Sequence, residues 1–204
     1  MKKMRNPAQS VPGRGPDDHV DRVHAQWKRE MPQVDLDGSR IVARARRISL
    51  LSRPAIEAVF ARHGIDTGEF DVLATLRRAG PPFALRPTEL YRSLMISSGG
   101  LTDRLARLEA RDLVRRRPSS GDGRSLLVEL TAGGRACVEA AFIEDMAVEN
   151  ALVAALNAAE RDQLARLLKR LAQHLEDTEA SESADVPASP PVAGKARGGS
   201  KASR

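Results

Sequence analysis

The chain has 204 residues, of which 41% are hydrophobic, and 33 lysines and arginines against 27 acidic residues give it a net charge of +6. This length and composition allow one well-buried core with extensions, and the positive charge favours a polyanionic partner such as nucleic acid. One cysteine excludes an intramolecular disulfide, the four scattered histidines lack metal-ligand spacing, and no apolar run is long enough to cross a membrane.

Both ends of the chain have the composition of disordered tails. Residues 1–15 are basic but lack the apolar core of a signal peptide, so we expect a cytoplasmic protein. Residues 177–204 contain few apolar side chains and many serines, alanines, glycines and prolines, so they cannot bury enough surface to fold. We therefore expect the folded part of the chain to lie between these tails.

Two helices are predicted at the start of the folded part. Residues 16–35 contain an extra N-terminal helix that has acidic residues in its first turn and places Val20 and Trp27 on one face. A longer helix with an apolar stripe follows from about Ser39 to His63. Pro54 lies within this second helix, and we expect it to kink or break the helix because proline cannot donate a backbone hydrogen bond.

The middle of the chain predicts three helices and a hairpin. A capping box at Asp66 and Glu69 begins a helix that ends at Gly80. A short helix starts at Pro87 or Thr88, and after a turn comes a helix with inward-facing leucines at 101, 105 and 108. Two strands, at 113–117 and 125–130, flank a flexible charged tip. A helix, a short turn, a helix and a hairpin in this order are typical of a winged helix-turn-helix.

Two further helices are predicted after the hairpin. Thr131 caps a long helix that runs to about Leu156, and a second capping box at Asn157 and Glu160 begins a helix with a leucine stripe. The fold class is therefore mainly α with a small β-hairpin. Cys137 lies on the first of these helices, where we expect a buried and inert thiol.

The second helix of the motif and the hairpin carry the candidate DNA contacts. Small residues at the start of the helix allow close approach to DNA, and its free N–H groups can hold a phosphate. Polar side chains on the helix can reach base edges, while arginines at a hairpin tip are attracted to narrow minor grooves. The candidates are Ser97, Ser98, Gly99, Thr102, Asp103, Arg104, Arg107, Arg115, Arg117 and Arg124. Alternatively, Arg115 and Arg117 form a solvated strand face, and Arg107 pairs with Asp103 on its own helix.

These residues resemble those of the MarR family of bacterial transcription regulators. The resemblance covers about residues 36–176 and rests on Asp122-x-Arg124-x-x-x-Val128-x-Leu130-Thr131-x-x-Gly134, with Ser98-Gly99-Gly100-Leu101-Thr102 and Arg107-Leu108-Glu109 before it. It implies a homodimer whose dimerisation helices, at 36–63 and 135–176, intertwine around DNA-binding domains at 64–134. It also implies that Asp122 pairs with Arg124 and aims that arginine into the groove. Gly123 stands where the family often has a basic residue, so we expect a slightly weaker grip.

A second group of polar residues suggests a ligand site. Asp71, Thr75 and Arg78 share one face of their helix, and from the pattern alone a solvated face with a weak intrahelical pair is favoured. Strand alternation places Arg116 on the side opposite to Arg115 and Arg117, toward the protein body.

A narrower resemblance is to the urate-responsive, PecS-like branch of the family. It implies that a tryptophan, an aspartate and three arginines respond to a purine-type anion, and the matching positions here are Trp27, Asp71, Arg78, Arg104 and Arg116. An aromatic ring can stack on a flat heterocycle, and guanidinium groups can hold its oxygens.

Together these features predict a ligand-responsive transcriptional repressor. Its expected partners are double-stranded DNA, a second copy of the chain and a small anionic or aromatic ligand such as urate or xanthine, and no membrane. An oxidant- or phenolic-responsive regulator and a ligand-independent architectural DNA-binding protein are the alternatives. We expect no enzyme activity, no cofactor and no metal, because the sequence offers no nucleophile–base pair, carboxylate dyad or metal-ligand set.

Overall fold

The computed structural model describes residues 16–95, 100–119 and 122–184, without the side chains of 119, 122–125, 179–180 and 182–184. The chain forms two units, one up to Leu152 and one from Val153 onward. In chain order the elements are α1 (His19–Glu30), α2 (Asp37–Arg62), α3 (Thr67–Arg78), β1 (Ala84–Leu85), α4 (Pro87–Ser93), α5 (Leu101–Ala110), β2 (Val114–Ser119), β3 (Asp122–Leu130), α6 (Ala132–Leu152) and α7 (Ala158–Ala184). No helix in the described ranges is both long and apolar enough to span a bilayer.

The extra N-terminal helix α1 is fastened to α2 through its own cap. Asp18 accepts the backbone N–H of Asp21 at 2.7 Å, which satisfies one of the free donors at the start of α1. Arg44 of α2 then binds both carboxylates, with Nε 2.9 Å from Asp18 Oδ2 and Nη2 2.6 Å from Asp21 Oδ1. Val20 is buried beside this contact, whereas the side chain of Trp27 is 53% exposed.

Helix α2 is continuous through Pro54, so the proline does not break the helix. A proline inside a helix removes one backbone hydrogen bond, which is tolerated where packing holds the turns on either side. Here Val59 and Phe60, in the turns after the proline, are fully buried in the core. The apolar stripe in the first half of α2 is largely exposed, and Ile48 is 64% exposed.

The predicted winged helix-turn-helix is present, with one strand more than the sequence indicated. The three strands form an antiparallel sheet in the order β1-β3-β2, in which Ala84 pairs with Glu129 and Arg116 with Val128. The strand β1 has two residues, too few for an alternation signal. The hairpin strands are longer than predicted: β2 ends at Ser119 rather than at 117, and β3 begins at Asp122 rather than at 125. The core of this unit is formed by apolar residues of α2 to α6 and the sheet.

The hairpin is joined to α6 by a close backbone contact. Thr131 separates β3 from α6, and its Oγ1 accepts the N–H of Gly134 at 2.9 Å and donates to the carbonyl oxygen of Asp112 at 2.6 Å. A Cβ atom at Gly134 would lie 1.9 Å from the carbonyl oxygen of Leu113, so only glycine fits there. The predicted cap at Thr131 is confirmed, although α6 ends at Leu152 rather than near Leu156.

The second unit is the helix α7 and the segment before it. The predicted capping box is confirmed, because Asn157 Oδ1 accepts the N–H of Glu160 at 3.0 Å and Glu160 Oε2 accepts the N–H of Asn157 at 2.9 Å. The helix continues to Ala184, beyond residue 177 where the tail was predicted to begin. Alanines and glutamates favour helix there, and the next proline comes only at Pro187. Residues 1–15 and 185–204 lie outside the described residues.

Candidate nucleic-acid interface and ligand site

The helix α5 is the second helix of the motif, and its leucines face the core as the sequence predicts. Leu101, Leu105 and Leu108 are buried in the core. Thr102 and Asp103 are exposed on the opposite side, where a groove of DNA can be reached. The candidates Ser97, Ser98 and Gly99 lie outside the described residues, as do the side chains of Asp122 and Arg124.

Arg107 of α5 binds the cap and first turn of α3, and not Asp103, the partner that was the alternative to a DNA contact. Its Nε lies 2.9 Å from Glu69 Oε1, and its Nη2 lies 3.0 Å from Asp66 Oδ2. The hydrogen bond that Arg107 donates to Glu69 is the main reason that the pKa of Arg107 is raised above its ordinary value. Arg111, the C-cap residue of α5, places Nη1 3.4 Å from Glu69 Oε2. The two acids of the α3 capping box therefore also bind α5.

Arg104 lies against the same turn of α3. A Cβ atom at Gly68 would lie 2.4 Å from Arg104 Nε, so the guanidinium passes close to the backbone only because this residue is glycine. Arg104 and Arg107 line an open cleft of about 460 Å³ between the start of α3 and α5.

The arginines of β2 face opposite sides of the hairpin. Arg115 and Arg117 both form ion pairs with Glu129 on β3, and Arg115 Nη2 is 3.1 Å from Glu129 Oε1. The hydrogen bond from Arg115 is the main reason that the pKa of Glu129 is lowered. Two guanidinium groups share one carboxylate, so this face keeps a net positive charge. The sequence reasoning missed Glu129, although Arg115 and Glu129 are direct cross-strand neighbours.

Arg116 faces the protein body, as strand alternation predicts. Its Nε lies 3.6 Å from Glu109 Oε2 near the end of α5. The wing strand β2 is therefore connected to α5 through this pair as well as through the core.

The polar face of α3 is buried, so the solvated face that its pattern favoured is wrong. Asp71 is 6% exposed and Thr75 is 1% exposed, because α4 packs over this side of α3. Asp71 accepts the backbone N–H of Met95 through Oδ1 at 3.2 Å and Oδ2 at 2.9 Å. Arg78 donates to the carbonyl oxygen of Ser93, and its Nη1 lies 4.0 Å from Asp71 Oδ1. Asp71 and Arg78 thus fix the backbone at Ser93, the last residue of α4, and at Met95 just after it.

The five residues of the predicted ligand site lie in four places. Asp71 and Arg78 are together at the contact of α3 with α4. Arg104 lies between α3 and α5, and Arg116 lies between β2 and α5. Trp27 is on α1, which packs against α2.

A pocket of about 680 Å³ between α3 and α6 was not predicted. Arg77 and Arg135 bind Glu139 of α6, with Nε–Oε1 distances of 2.6 and 2.8 Å. Both guanidinium groups also lie 5.1 Å from the ring centre of Phe83. Arg78 lines this pocket too, next to exposed Phe142. Because the lining comes from segments far apart in the chain, no local pattern indicates it.

The remaining candidate chemistry concerns Cys137 and metal binding. Burial raises the pKa of the Cys137 thiol, which agrees with the expected inert side chain. Within the ranges that the structure describes, no group of three or more histidines, cysteines and acids could hold a metal ion.

Comparison with known proteins gives the geometry a family context. Residues 63–125 match the MarR family model. The regulator PecS of Dickeya dadantii is 36% identical over 156 residues, which cover 76% of this chain and 94% of PecS. A mutant of Escherichia coli MarR in complex with operator DNA superposes with a TM-score of 0.56 and 27% identity, over 71% of this chain and 96% of that one. Bordetella bronchiseptica BpsR, whose DNA binding is regulated by 6-hydroxynicotinic acid, has a TM-score of 0.57 and 25% identity over 65% and 92% of the two chains.

Proposed function

Since the chain belongs to the MarR family of DNA-binding transcriptional regulators, we propose that it is a homodimeric repressor released from a palindromic operator by a small purine-type anion. The DNA contacts in this proposal are the exposed start of α5 and the basic wing. Arg115 and Arg117 keep a net positive charge beside Glu129, which favours a phosphate backbone or a narrow minor groove.

The homodimer is supported by apolar surface that the single chain leaves exposed. Large apolar side chains of α2, α6 and α7 are more than a third exposed, which is unusual for a monomer; they include Ile41, Ile48, Leu51, Phe142, Ile143, Leu167 and Leu175. A second copy would cover them. Two recognition helices then require half-sites about 34–36 Å apart, one turn of DNA.

The observation that carries the ligand proposal is that Asp71 and Arg78 both bind the backbone at the end of α4. The proposal requires a ligand anion to act on residues that lie apart in the single chain, since it would attract Arg78 and Arg116 and repel the carboxylate of Asp71. Because Asp71 accepts the N–H of Met95, such a change would shift the backbone between α4 and α5. Trp27, exposed on α1, would stack on the heterocycle, and Arg104 would transmit the strain to α5.

The ligand can release DNA only if it prefers the conformation that does not bind the operator. A coupling free energy of about 1–3 kcal/mol would lower operator affinity by roughly 5- to 150-fold. The raised pKa of Cys137 argues against the oxidant-sensing alternative. An aromatic acid in the pocket between α3 and α6 is the second candidate, because Phe142 and three arginines line it and about 680 Å³ suits a small ligand.

The test begins with an operator selected by the parent protein from a random pool of duplexes. The protein–operator complex is then titrated with urate, xanthine, salicylate and nicotinate. We expect the purines to loosen the complex, whereas loosening by the aromatic acids alone would favour the second candidate. Analytical ultracentrifugation should give a dimer, and footprinting should show two protected half-sites. A stable monomer, or protection of a single half-site, would contradict the repressor model.

A further inference from the structure

Glu69 has an unusual position for a charged side chain in a DNA-binding unit. It is 6% exposed as a side chain, and it lies in the first turn of α3, beneath the C-terminal half of α5. A buried carboxylate costs free energy unless cations and hydrogen bonds compensate it. Its partners therefore indicate what it does.

The carboxylate of Glu69 has three donors from two elements. Its Oε2 accepts the N–H of Asp66, which closes the capping box of α3 at 3.1 Å. Its Oε1 accepts Arg107 Nε at 2.9 Å, and its Oε2 lies 3.4 Å from Arg111 Nη1. Arg107 lies in the last turn of α5 and Arg111 is its C-cap residue, four positions later, so both can reach the same carboxylate.

From these contacts we propose that Glu69 is a positioning residue that fixes the recognition helix α5, and that Arg107 serves this clamp rather than a DNA phosphate. Asp66 completes the clamp, because its Oδ2 lies 3.0 Å from Arg107 Nη2. Two neighbouring nitrogens of the guanidinium are bound to two carboxylates, which fixes both the position and the plane of the group.

The location of the clamp explains how it would affect DNA recognition. Thr102 lies five residues before Arg107, which corresponds to about 7.5 Å along the helix. A rotation of α5 by about 10° around the clamp would therefore move Thr102 by about 1.3 Å, enough to spoil a hydrogen bond to a base. Non-specific attraction to phosphates would change little, because it depends on charge more than on helix angle.

Variants that remove one charge at a time test this division of roles in the full-length protein. Glu69→Gln keeps an oxygen for the N–H of Asp66, and glutamine is accepted in a capping box, so α3 should keep its cap. Arg107→Gln removes the partner instead. Glu57→Gln is the matched control, since Glu57 is exposed on α2 and lines the same cleft. Each protein is titrated with the selected operator and with a scrambled duplex of equal length, between 50 and 200 mM KCl.

We expect Glu69→Gln and Arg107→Gln to lower operator affinity about tenfold, the loss when one charged hydrogen bond no longer fixes the helix. Affinity for the scrambled duplex and the slope of log K against log salt should stay at the parent values, and the double variant should be no worse than either single one. Glu57→Gln should bind as the parent does. If Glu69→Gln does not fold, Arg107→Gln decides, because its side chain is half exposed.

Two results would overturn the proposal. If Arg107 holds a phosphate, Arg107→Gln will reduce the salt slope by about 0.9 and weaken binding to both duplexes equally. If Glu69 only neutralises Arg107, Glu69→Gln will free the arginine, steepen the slope and tighten binding. The inference relies on the proposed DNA binding but not on the ligand. A parent protein that enriches no duplex would overturn both, whereas failure of the purines alone leaves the clamp prediction intact.

Discussion

Replacing Asp71 by asparagine should loosen the end of α4 while leaving the core packing unchanged. Asp71 is buried and receives the N–H of Met95 with both oxygens, at 3.2 and 2.9 Å. A hydrogen bond to a charged group contributes about 1.5–3 kcal/mol and a neutral one about 0.5–1.5 kcal/mol. Asparagine keeps one acceptor oxygen, so the expected loss is the difference, about 1–1.5 kcal/mol. The pair with Arg78 adds little, because it is 4.0 Å long and Arg78 is 45% exposed.

Thermal unfolding of the DNA-free protein measures this loss. For a chain of this length, about 1 kcal/mol corresponds to roughly 2–4 °C in Tm, so we expect a decrease of about 2–6 °C. Asp162→Asn, at an exposed aspartate of α7, is the matched control and should leave Tm within the range of surface substitutions, about ±0.5 kcal/mol. The same samples are then titrated with operator and with purine.

Asp71 has two roles in these proposals: it binds Met95, and its charge responds to the ligand. Operator affinity should fall by a small factor, because the turn before α5 is less firmly held. The response to the purine should fall by a larger factor, because the repelled carboxylate is gone, and Arg116→Ala should show the same imbalance. An unchanged Tm would show that the contact with Met95 does not stabilise α4, and an unchanged purine response in both variants would refute the ligand site.

Four further substitutions test other parts of the structure. Gly134→Ala would force a Cβ atom to 1.9 Å from the Leu113 carbonyl oxygen, so it should lower stability by about 2 kcal/mol or more. Gly38→Ala, with nothing within 4 Å, should raise it by about 0.5–1 kcal/mol, and equal melting curves for the two would contradict this. Burial raises the pKa of Asp145, one oxygen of which is buried without a hydrogen-bond partner among the residues that the structure describes, so its charge destabilises the folded state at neutral pH. Asp145→Asn should therefore raise Tm at pH 7, by a margin that shrinks as acidification protonates the parent carboxyl; a lower Tm would show that the charge is compensated in the dimer. Arg124→Ala should cost about 1–3 kcal/mol of operator binding at matched salt, with an unchanged Tm, and parent-like affinity would exclude this arginine from the interface.

The sequence predicted those features that a single element determines. Capping boxes at Asp66 and Asn157, the inward leucines of α5 and the side of β2 that Arg116 occupies all follow from spacing within one helix or strand. Such patterns depend on local geometry, which the backbone repeats reliably.

Contacts between elements that are far apart in the sequence could not be predicted from the spacing of residues within one element. The face with Asp71 and Thr75 looks solvated on α3 alone, and only the packing of α4 over it makes it buried. Glu69 and Arg107 are 38 residues apart, so spacing within α5 suggested Asp103 as the partner instead. The continuity of α2 at Pro54 likewise depends on the buried turns around Phe60.

The contact of Gly134 with Leu113 makes α6 and the base of the wing a single stiff lever. One residue, Thr131, separates β3 from α6, and its side chain bonds to both Asp112 and Gly134. The helix α6 has 21 residues. At 1.5 Å per residue its arm is about 31 Å long, so a tilt of about 5° at its far end would displace the wing base by about 2.7 Å. A small change of angle where α6 ends at Leu152 would thus be magnified into a displacement comparable to a hydrogen-bond length at the hairpin.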